Sequence, residues 1–339
     1  MSKFSPPAPP GYLDPRVESL PPPPAPETDF SARLDGVIIL VSAGDVYLAK
    51  ACCASIRQNM GNIPITLLVD RPQTNTAEVE RLPQVKRLVA QDVMDAETAR
   101  LCTGFWVKLL VFWVSPYERF LYLDADTLVW GDVRAQADFD QFDFQAAFDF
   151  NRPRVFDTAE DIQKYVYDLD FIAKQNPGLD WRGMELANNG VFFARRGVFS
   201  RERLLALRQW PCWRNYEQGV LNYLRWEALA AGHPRVGGQR LQILPAESPY
   251  RPEDRYLPRD HRRPAVIHWI GKKPKIGRRY RAADDYRKLF LKMTGRNRWL
   301  TLRLFLEDVA VWLKRQRRSV NRRLGKDANS SDLAAPSSV

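Results

Sequence analysis

The sequence predicts an α/β fold with a mainly parallel central sheet covered by helices, and three observations carry that prediction. Short β-branched runs recur, GVIILV at Gly36–Val41 and ITLLV at Ile65–Val69. Segments of helical character separate them. A further apolar run, residues 119–123, delivers the chain straight into Asp124 and Asp126. Strands that alternate with helices build parallel sheets buried on both faces, because each crossover lays a helix on the sheet.

Taken in order, residues 1–34 carry Pro6, Pro7, Pro9, Pro10 and four consecutive prolines at 21–24. Such a segment buries too little apolar surface to order itself and reads as an extended, flexible leader. Gly36–Val41 is a buried strand bounded by Asp35 and Ser42, 49–59 a helix, Ile65–Val69 the second strand and 85–90 the third. Residues 106–114 suit an apolar helix that ends near Pro116, and 119–123 form the next strand. Ligands of such sheets gather beyond the carboxyl ends of the strands, which places the chemistry at 42–47 and 124–126. One domain is expected over 35–295, a basic helical tail over 296–325 and a disordered end over 326–339.

Bulk properties narrow the function classes. The chain has 339 residues and a net charge of +11, with the excess at one end. From Arg251 onward there are 24 Lys/Arg against 9 Asp/Glu, leaving 27 against 31 before it. A near-neutral body joined to a basic quarter points to an anionic partner such as a lipid surface, a phosphate-bearing ligand or nucleic acid. Recognised nucleic-acid motifs are missing, so nucleic acid is the least favoured of these. Cys52, Cys53, Cys102 and Cys212 have neither metal-type spacing nor a disulfide framework and read as buried, reduced thiols. The N-terminus lacks the basic start and apolar core of a secretory signal, and no uncharged apolar run reaches the roughly 20 residues of a membrane span. The expectation is a cytoplasmic protein, soluble or peripheral at the membrane's inner face.

The sharpest local signal is RFLYLDADTLVWGD at 119–132. In an extended segment Asp124 and Asp126 point to the same side. Two such carboxylates in a partly buried place repel one another unless a cation joins them, and hard oxygen ligands suit Mg²⁺ or Mn²⁺. A solvated turn after a strand is the plainer alternative.

The longer run VKLLVFWVSPYERFLYLDADTLVWGDV, residues 107–133, resembles that of the family-eight retaining glycosyltransferases, the glycogenin-like and lipopolysaccharide galactosyltransferase-like enzymes. The resemblance covers roughly 36–275 in four islands that occur in the family's order. It implies a GT-A nucleotide-diphospho-sugar transferase fold, a UDP-sugar donor and a Mn²⁺ or Mg²⁺ ion. In VSAGDVY at 41–47, Tyr47 is expected to stack on the uracil and Val41 to line its pocket, although Ala43 and Gly44 stand where the family often has Thr and Asn. Lys108, a cation in an apolar helix, is expected against the nucleotide sugar, or else snorkelling out of the helix.

NNGV at 188–191 is expected to supply Asn188 to the sugar hydroxyls and Gly190 for close backbone approach. In YEQGVLN, Glu217 would bind the sugar and Gln218 would face its reacting carbon, with Glu where the family usually has Asp. A cap or solvated position is the alternative for Glu217. VIHWIGKKPK at 266–275 would give His268 to the metal and Gly271 and Lys273 to the diphosphate, in a turn shorter than the family's, so that Lys272 also qualifies. The resemblance thus lays the nucleotide sugar along Val41, Tyr47, Lys108, Asp124, Ala125, Asp126, Asn188, Asn189, Gly271 and Lys273. Asp124, Asp126 and His268 are the implied metal ligands.

Family membership implies retention of anomeric configuration, and an amide at Gln218 is a poor nucleophile. Attack on the donor's front face, assisted by the leaving phosphate, follows. The acceptor (a glycan, a lipid-linked saccharide or a protein) is not marked, and the sequence leaves an oligomer open. Leu302, Phe305, Leu306, Val309, Trp312 and Leu313 recur at helical spacing among arginines, which suits an interfacial helix on anionic lipid or one packed on the domain. The competing activities are a sugar nucleotidyltransferase, for which the first strand lacks a glycine-rich phosphate loop, and a nucleotide-sugar-binding protein without activity.

Overall fold

The computed structural model describes residues 33–148, 159–179, 187–214, 216–236, 238–245 and 264–268, together with Leu306, Val309 and Leu313. Among the described residues nine strands form one sheet in the order β3-β2-β1-β4-β7-β6-β8-β9-β5. They are β1 (Gly36–Val41), β2 (Ile65–Val69), β3 (Val85–Val89), β4 (Arg119–Asp124), β5 (Thr127–Trp130), β6 (Phe144–Phe148), β7 (Asn188–Arg195), β8 (Gly238–Pro245) and β9 (Ala265–His268). The helices are α1 (Val46–Met60), α2 (Ala90–Val93), α3 (Ala96–Leu101), α4 (Val111–Val114), α5 (Ala159–Tyr165), α6 (Leu169–Gln175), α7 (Arg201–Arg208) and α8 (Tyr216–Ala230). Among the described residues no helix is long and apolar enough to cross a membrane.

The expected α/β class, a central sheet flanked by helices with the two aspartates at a strand end, is the one observed. Parallel pairing is the majority arrangement, but β7 runs antiparallel to β4 and β6, and β5 antiparallel to β9. Alternating strands and helices forecast the parallel β3–β2–β1–β4 half. The far half is reached by longer connections that admit either direction.

Continuous apolar strands are sorted by the pleat. Phe120 and Tyr122 of β4 and Phe192 and Ala194 of β7 face one layer, while Leu121, Leu123, Val191 and Phe193 face the other. On the first face Phe192 lies between Tyr122 and Phe112, with centroids 4.6 and 5.5 Å away and nearly parallel planes. The other face is closed by α1, which buries Leu48, Ala49, Cys52, Cys53 and Ile56. All four cysteines are free and buried, and burial pushes the Cys52 thiol up to about 12.

Two details position the site. First, α1 supplies hydrogen bonds to the edge strand β5: Val129 N donates to Ser55 Oγ (2.9 Å), Asn59 Nδ2 donates to Val129 O (2.9 Å), and Gly131 N donates to Asn59 Oδ1 (3.2 Å). A short edge satisfied in this way is also shielded from stray pairing. Second, the helix expected over 106–114 is a 3₁₀ segment over Gly104–Leu110 followed by the single turn α4. The run is rich in β-branched and aromatic residues, weak α formers, and Trp106–Leu110 are all buried, so packing on every side sets its pitch.

Of the remaining expectations, the leader to residue 32 and the end over 326–339 lie outside the described residues. So does the basic tail apart from three positions: Leu306, Val309 and Leu313 are helical, and Leu306 and Leu313 are exposed.

Candidate functional site

The sheet brings three of the expected ligands together. β4 ends at Asp124, level with Leu40 near the end of β1, and the chain then turns through Ala125 and Asp126 into β5. Thr127 Oγ1 closes the turn by donating to Asp124 O (2.8 Å), and Cys52 Sγ lies 3.4 Å from the same hydroxyl. The two carboxylates therefore converge through a turn rather than along an extended strand. β9 completes the group, because its register sets His268 opposite Thr127. A slip of one residue would turn the imidazole to the other face.

His268 Nε2 is 3.5 Å from Asp126 Oδ1 and 3.9 Å from Asp124 Oδ2. One ligand atom from each of the three residues lies within 4.8 Å of the others. Asp126 and His268 are buried, and Asp124 is partly open. Oxygen and nitrogen atoms bound to one Mg²⁺-sized ion at about 2.1 Å sit roughly 3–4 Å apart, so the separations fit a divalent cation. Two hard carboxylates with one imidazole make a donor set that suits a divalent cation.

Gly190 is the clearest sign that the backbone is shaped around this group. A Cβ there would lie 2.3 Å from His268 Cε1, 2.7 Å from Asp124 Oδ2 and 3.0 Å from Asn188 Oδ1. The close approach expected at this glycine is thus an approach to the cluster itself.

Beside the cluster sits a buried lysine. Lys108 Nζ is 3.1 Å from Asp124 Oδ1, 2.9 Å from Glu217 Oε1 and 3.3 Å from Asn189 O, and its ammonium stands 5.3 Å from the Tyr122 ring centroid. Burial opposes the charge, but Asp124 and then Glu217 outweigh it and hold the group above the ordinary lysine range. Lys108 does not snorkel out, and Glu217 is neither a solvated helix residue nor a mere cap: the two form an ion pair at the start of α8. Tyr122 adds a hydrogen bond to Asp124 Oδ1 (2.7 Å), and burial followed by the Asp124 charge keeps its phenol protonated.

The other expected residues divide. Asn188 Oδ1 accepts from Gly190 N (2.8 Å), which braces the start of β7 at the glycine. Asn189 is buried and Nδ2 donates to Gln218 O (3.1 Å), tying β7 to α8. Val41 is fully buried in the layer under α1, and Ala125 is buried within the aspartate turn. Gln218 is partly exposed in the first turn of α8. The Tyr47 side chain, Gly271, Lys272 and Lys273 lie outside what is described.

Sequence reasoning missed Tyr122 and Asn222. Tyr122 stands two residues before Asp124, so strand alternation alone puts both on one side. Asn222 is an amide in the buried face of α8, and it exchanges hydrogen bonds with Ala187 N (2.8 Å) and O (3.0 Å) and with Gln218 O (2.9 Å).

The opposite end of the sheet differs. A cavity of about 700 Å³ there is lined by Arg195, Arg203, His233 and Arg235 with Asp143 and Glu227 among others. Asp143 takes Arg195 Nε at 3.0 Å and Arg235 Nε at 2.7 Å, and Glu227 pairs with Arg203.

No known family's sequence profile and no curated protein matches the chain. Solved structures do. The galactosyltransferase LgtC in complex with donor and acceptor sugar analogues is 16% identical, with 76% of this chain and 95% of that one covered, at a TM-score of 0.47. The WbbM bifunctional glycosyltransferase is 12% identical over 88% of this chain and 53% of that one, at 0.48. Mouse xyloside xylosyltransferase 1 is 12% identical over 70% and 98%, at 0.45. At these values the likenesses carry no weight for the activity, which has to be read from the side chains.

Proposed function

We propose that the chain is a metal-dependent glycosyltransferase that moves a hexose from a UDP-sugar to a hydroxyl acceptor with retention of configuration. The observation that carries this is Asp124, Asp126 and His268 converging at a strand end, with Asp124 joined through Lys108 to Glu217. Such a site sets a position for a hard cation directly beside a buried ion pair.

In this reading Asp124, Asp126 and His268 hold a Mn²⁺ or Mg²⁺ ion, which when bound polarises the donor's diphosphate as a Lewis acid. Tyr47 receives the uracil beyond the end of β1, where Val41 packs in the core rather than against the base, and Gly271 with Lys273 meets the diphosphate. Lys108 and Glu217 orient the sugar together with Asn188. The bond between the anomeric carbon and the β-phosphate oxygen breaks, its electron pair leaving with UDP. The acceptor oxygen bonds to that carbon from the same side, and its proton passes to the departing phosphate oxygen. Glu217 is a weak nucleophile because its Oε1 is 2.9 Å from the Lys108 ammonium, and the Gln218 amide is weaker still. Both favour front-face attack over a covalent intermediate, for which retaining glycosidases keep a carboxylate about 5–5.5 Å from the acid. A stable glycosyl adduct on Glu217, trapped with a slow donor, would overturn that step.

The test is nucleotide release from a panel of UDP-sugars, with Mn²⁺ and with EDTA, by wild type and Asp126→Ala. Release that needs the metal and is lost in the variant is expected. Folded, metal-loaded protein that releases UDP from no donor would overturn the proposal.

A further inference from the structure

Among the described residues five large apolar side chains are exposed, and two of them touch. Phe105 is 64% and Tyr216 52% exposed, with ring centroids 5.3 Å apart and planes inclined by 37°. Both belong to the segments that carry the lysine pair. Phe105 stands three residues before Lys108 in a 3₁₀ segment, where positions three apart lie one above the other. Tyr216 directly precedes Glu217. The Lys108–Glu217 contact at 2.9 Å binds the two segments. By contacts, the site runs from His268 and Asp126 through Asp124 and Lys108 to Glu217, and the aromatic pair sits on the two segments that hold the last two of these residues.

The pair is built rather than left over. Tyr216 has φ of 43°, a left-handed conformation that a bulky aromatic residue avoids. Such strain persists only where the surroundings impose it, and it gathers at functional sites. Behind the pair, Trp106 meets Tyr216 edge-on at 6.4 Å, and Arg208 covers Trp106 at 4.1 Å while donating to Leu101 O (3.0 Å). Thr103, two residues before Phe105, is exposed and polar.

We infer that Phe105 and Tyr216 form an acceptor subsite for the apolar face of a pyranose ring, so that the acceptor is a saccharide. The inference rests on the transferase reading above. Axial ring hydrogens carry partial positive charge and seat on the negative face of an aromatic ring. Two inclined rings bordered by polar groups match one sugar ring, whereas an acyl chain needs a longer apolar strip. The Tyr216 hydroxyl can bond to a sugar hydroxyl beside the stack.

Saturation-transfer NMR on protein loaded with Mg²⁺ and UDP tests this with methyl β-galactoside and with octyl β-glucoside as monomers. Saturation of the ring hydrogens is expected. Affinity should fall about tenfold in Phe105→Ala, the size of one lost stack, with UDP affinity and thermal unfolding as controls for folding. Tyr216→Phe should keep most of the binding, which separates stacking from a folding defect. Unchanged ring saturation in Phe105→Ala, saturation confined to the octyl chain, or none in wild type would each overturn the inference. UDP release with no ring contact sinks the subsite and leaves the transferase standing, whereas ring contact without UDP binding does the reverse.

Discussion

The two ends of the β4–β7 ladder both carry ionic clusters, about 17 Å apart at ~3.4 Å per residue, and they are balanced differently. At the Arg195 end, one carboxylate, Asp143, receives two guanidinium groups, and Glu227 has Arg203. At the Asp124 end the carboxylates Asp124 and Glu217 divide one ammonium, and Asp124 also turns toward Asp126 and the His268 imidazole. The first cluster closes on itself and locks loops to the sheet. The second brings acidic oxygens of Asp124 and Asp126 together beside His268, with the glycine at 190 leaving them room. The two ends thus differ in the sign of their excess, guanidinium at the Arg195 end and carboxylate at the Asp124 end, and it is the acidic excess that offers a place to a cation.

The largest effect expected from breaking this contrast is at Lys108. Lys108→Met leaves Glu217 buried without its partner, and losing one member of a buried pair costs about 3–5 kcal/mol. Thermal unfolding should register a clear fall in Tm, and added Mn²⁺ should recover part of it if the cluster takes a cation. Gly190→Ala comes next: the added methyl overlaps His268 and Asp124. A loss of about 1–3 kcal/mol is expected, together with at least tenfold weaker Mn²⁺ binding by paramagnetic resonance titration. Equal Mn²⁺ affinity in this variant would show that the cluster is not the metal position.

Asn59→Ala removes two hydrogen bonds to β5 and should cost about 1–2 kcal/mol by chemical denaturation. Because β5 follows the aspartate turn, Mn²⁺ affinity should weaken too.

The smallest effect belongs to the Arg195 end. The Arg235 hydrogen bond holds the Asp143 carboxyl below its usual value, burial opposing and Arg195 assisting. A depressed carboxylate contributes stability that is present above its unfolded value, near 3.9, and is lost as pH falls through the folded one. Asp143→Asn should therefore flatten the acid limb of the stability curve below about pH 4, cost no more than ~1 kcal/mol at neutrality, and leave metal binding alone.

The sequence by itself determined the elements that depend on short runs. Gly36–Val41, Ile65–Val69 and the strand into Asp124 were readable because β-branched and apolar residues concentrate where both faces of a strand are buried. Asp124 and Asp126 stood out for the same local reason, two carboxylates at the end of an apolar strand. Lys108 was visible as a cation in apolar surroundings, which signals an anionic partner without naming it.

Only the tertiary structure decided who that partner is. Asp124 and Glu217 meet Lys108 from 16 and 109 positions away, and His268 reaches Asp126 through the β5–β9 register. Strand direction beyond β4, the 3₁₀ pitch at Gly104–Leu110 and the wall at Gly190 likewise arise from packing between distant segments. Periodicity reports which face of an element is buried. What it is buried against follows from register and crossover, and these are fixed only when the whole sheet closes.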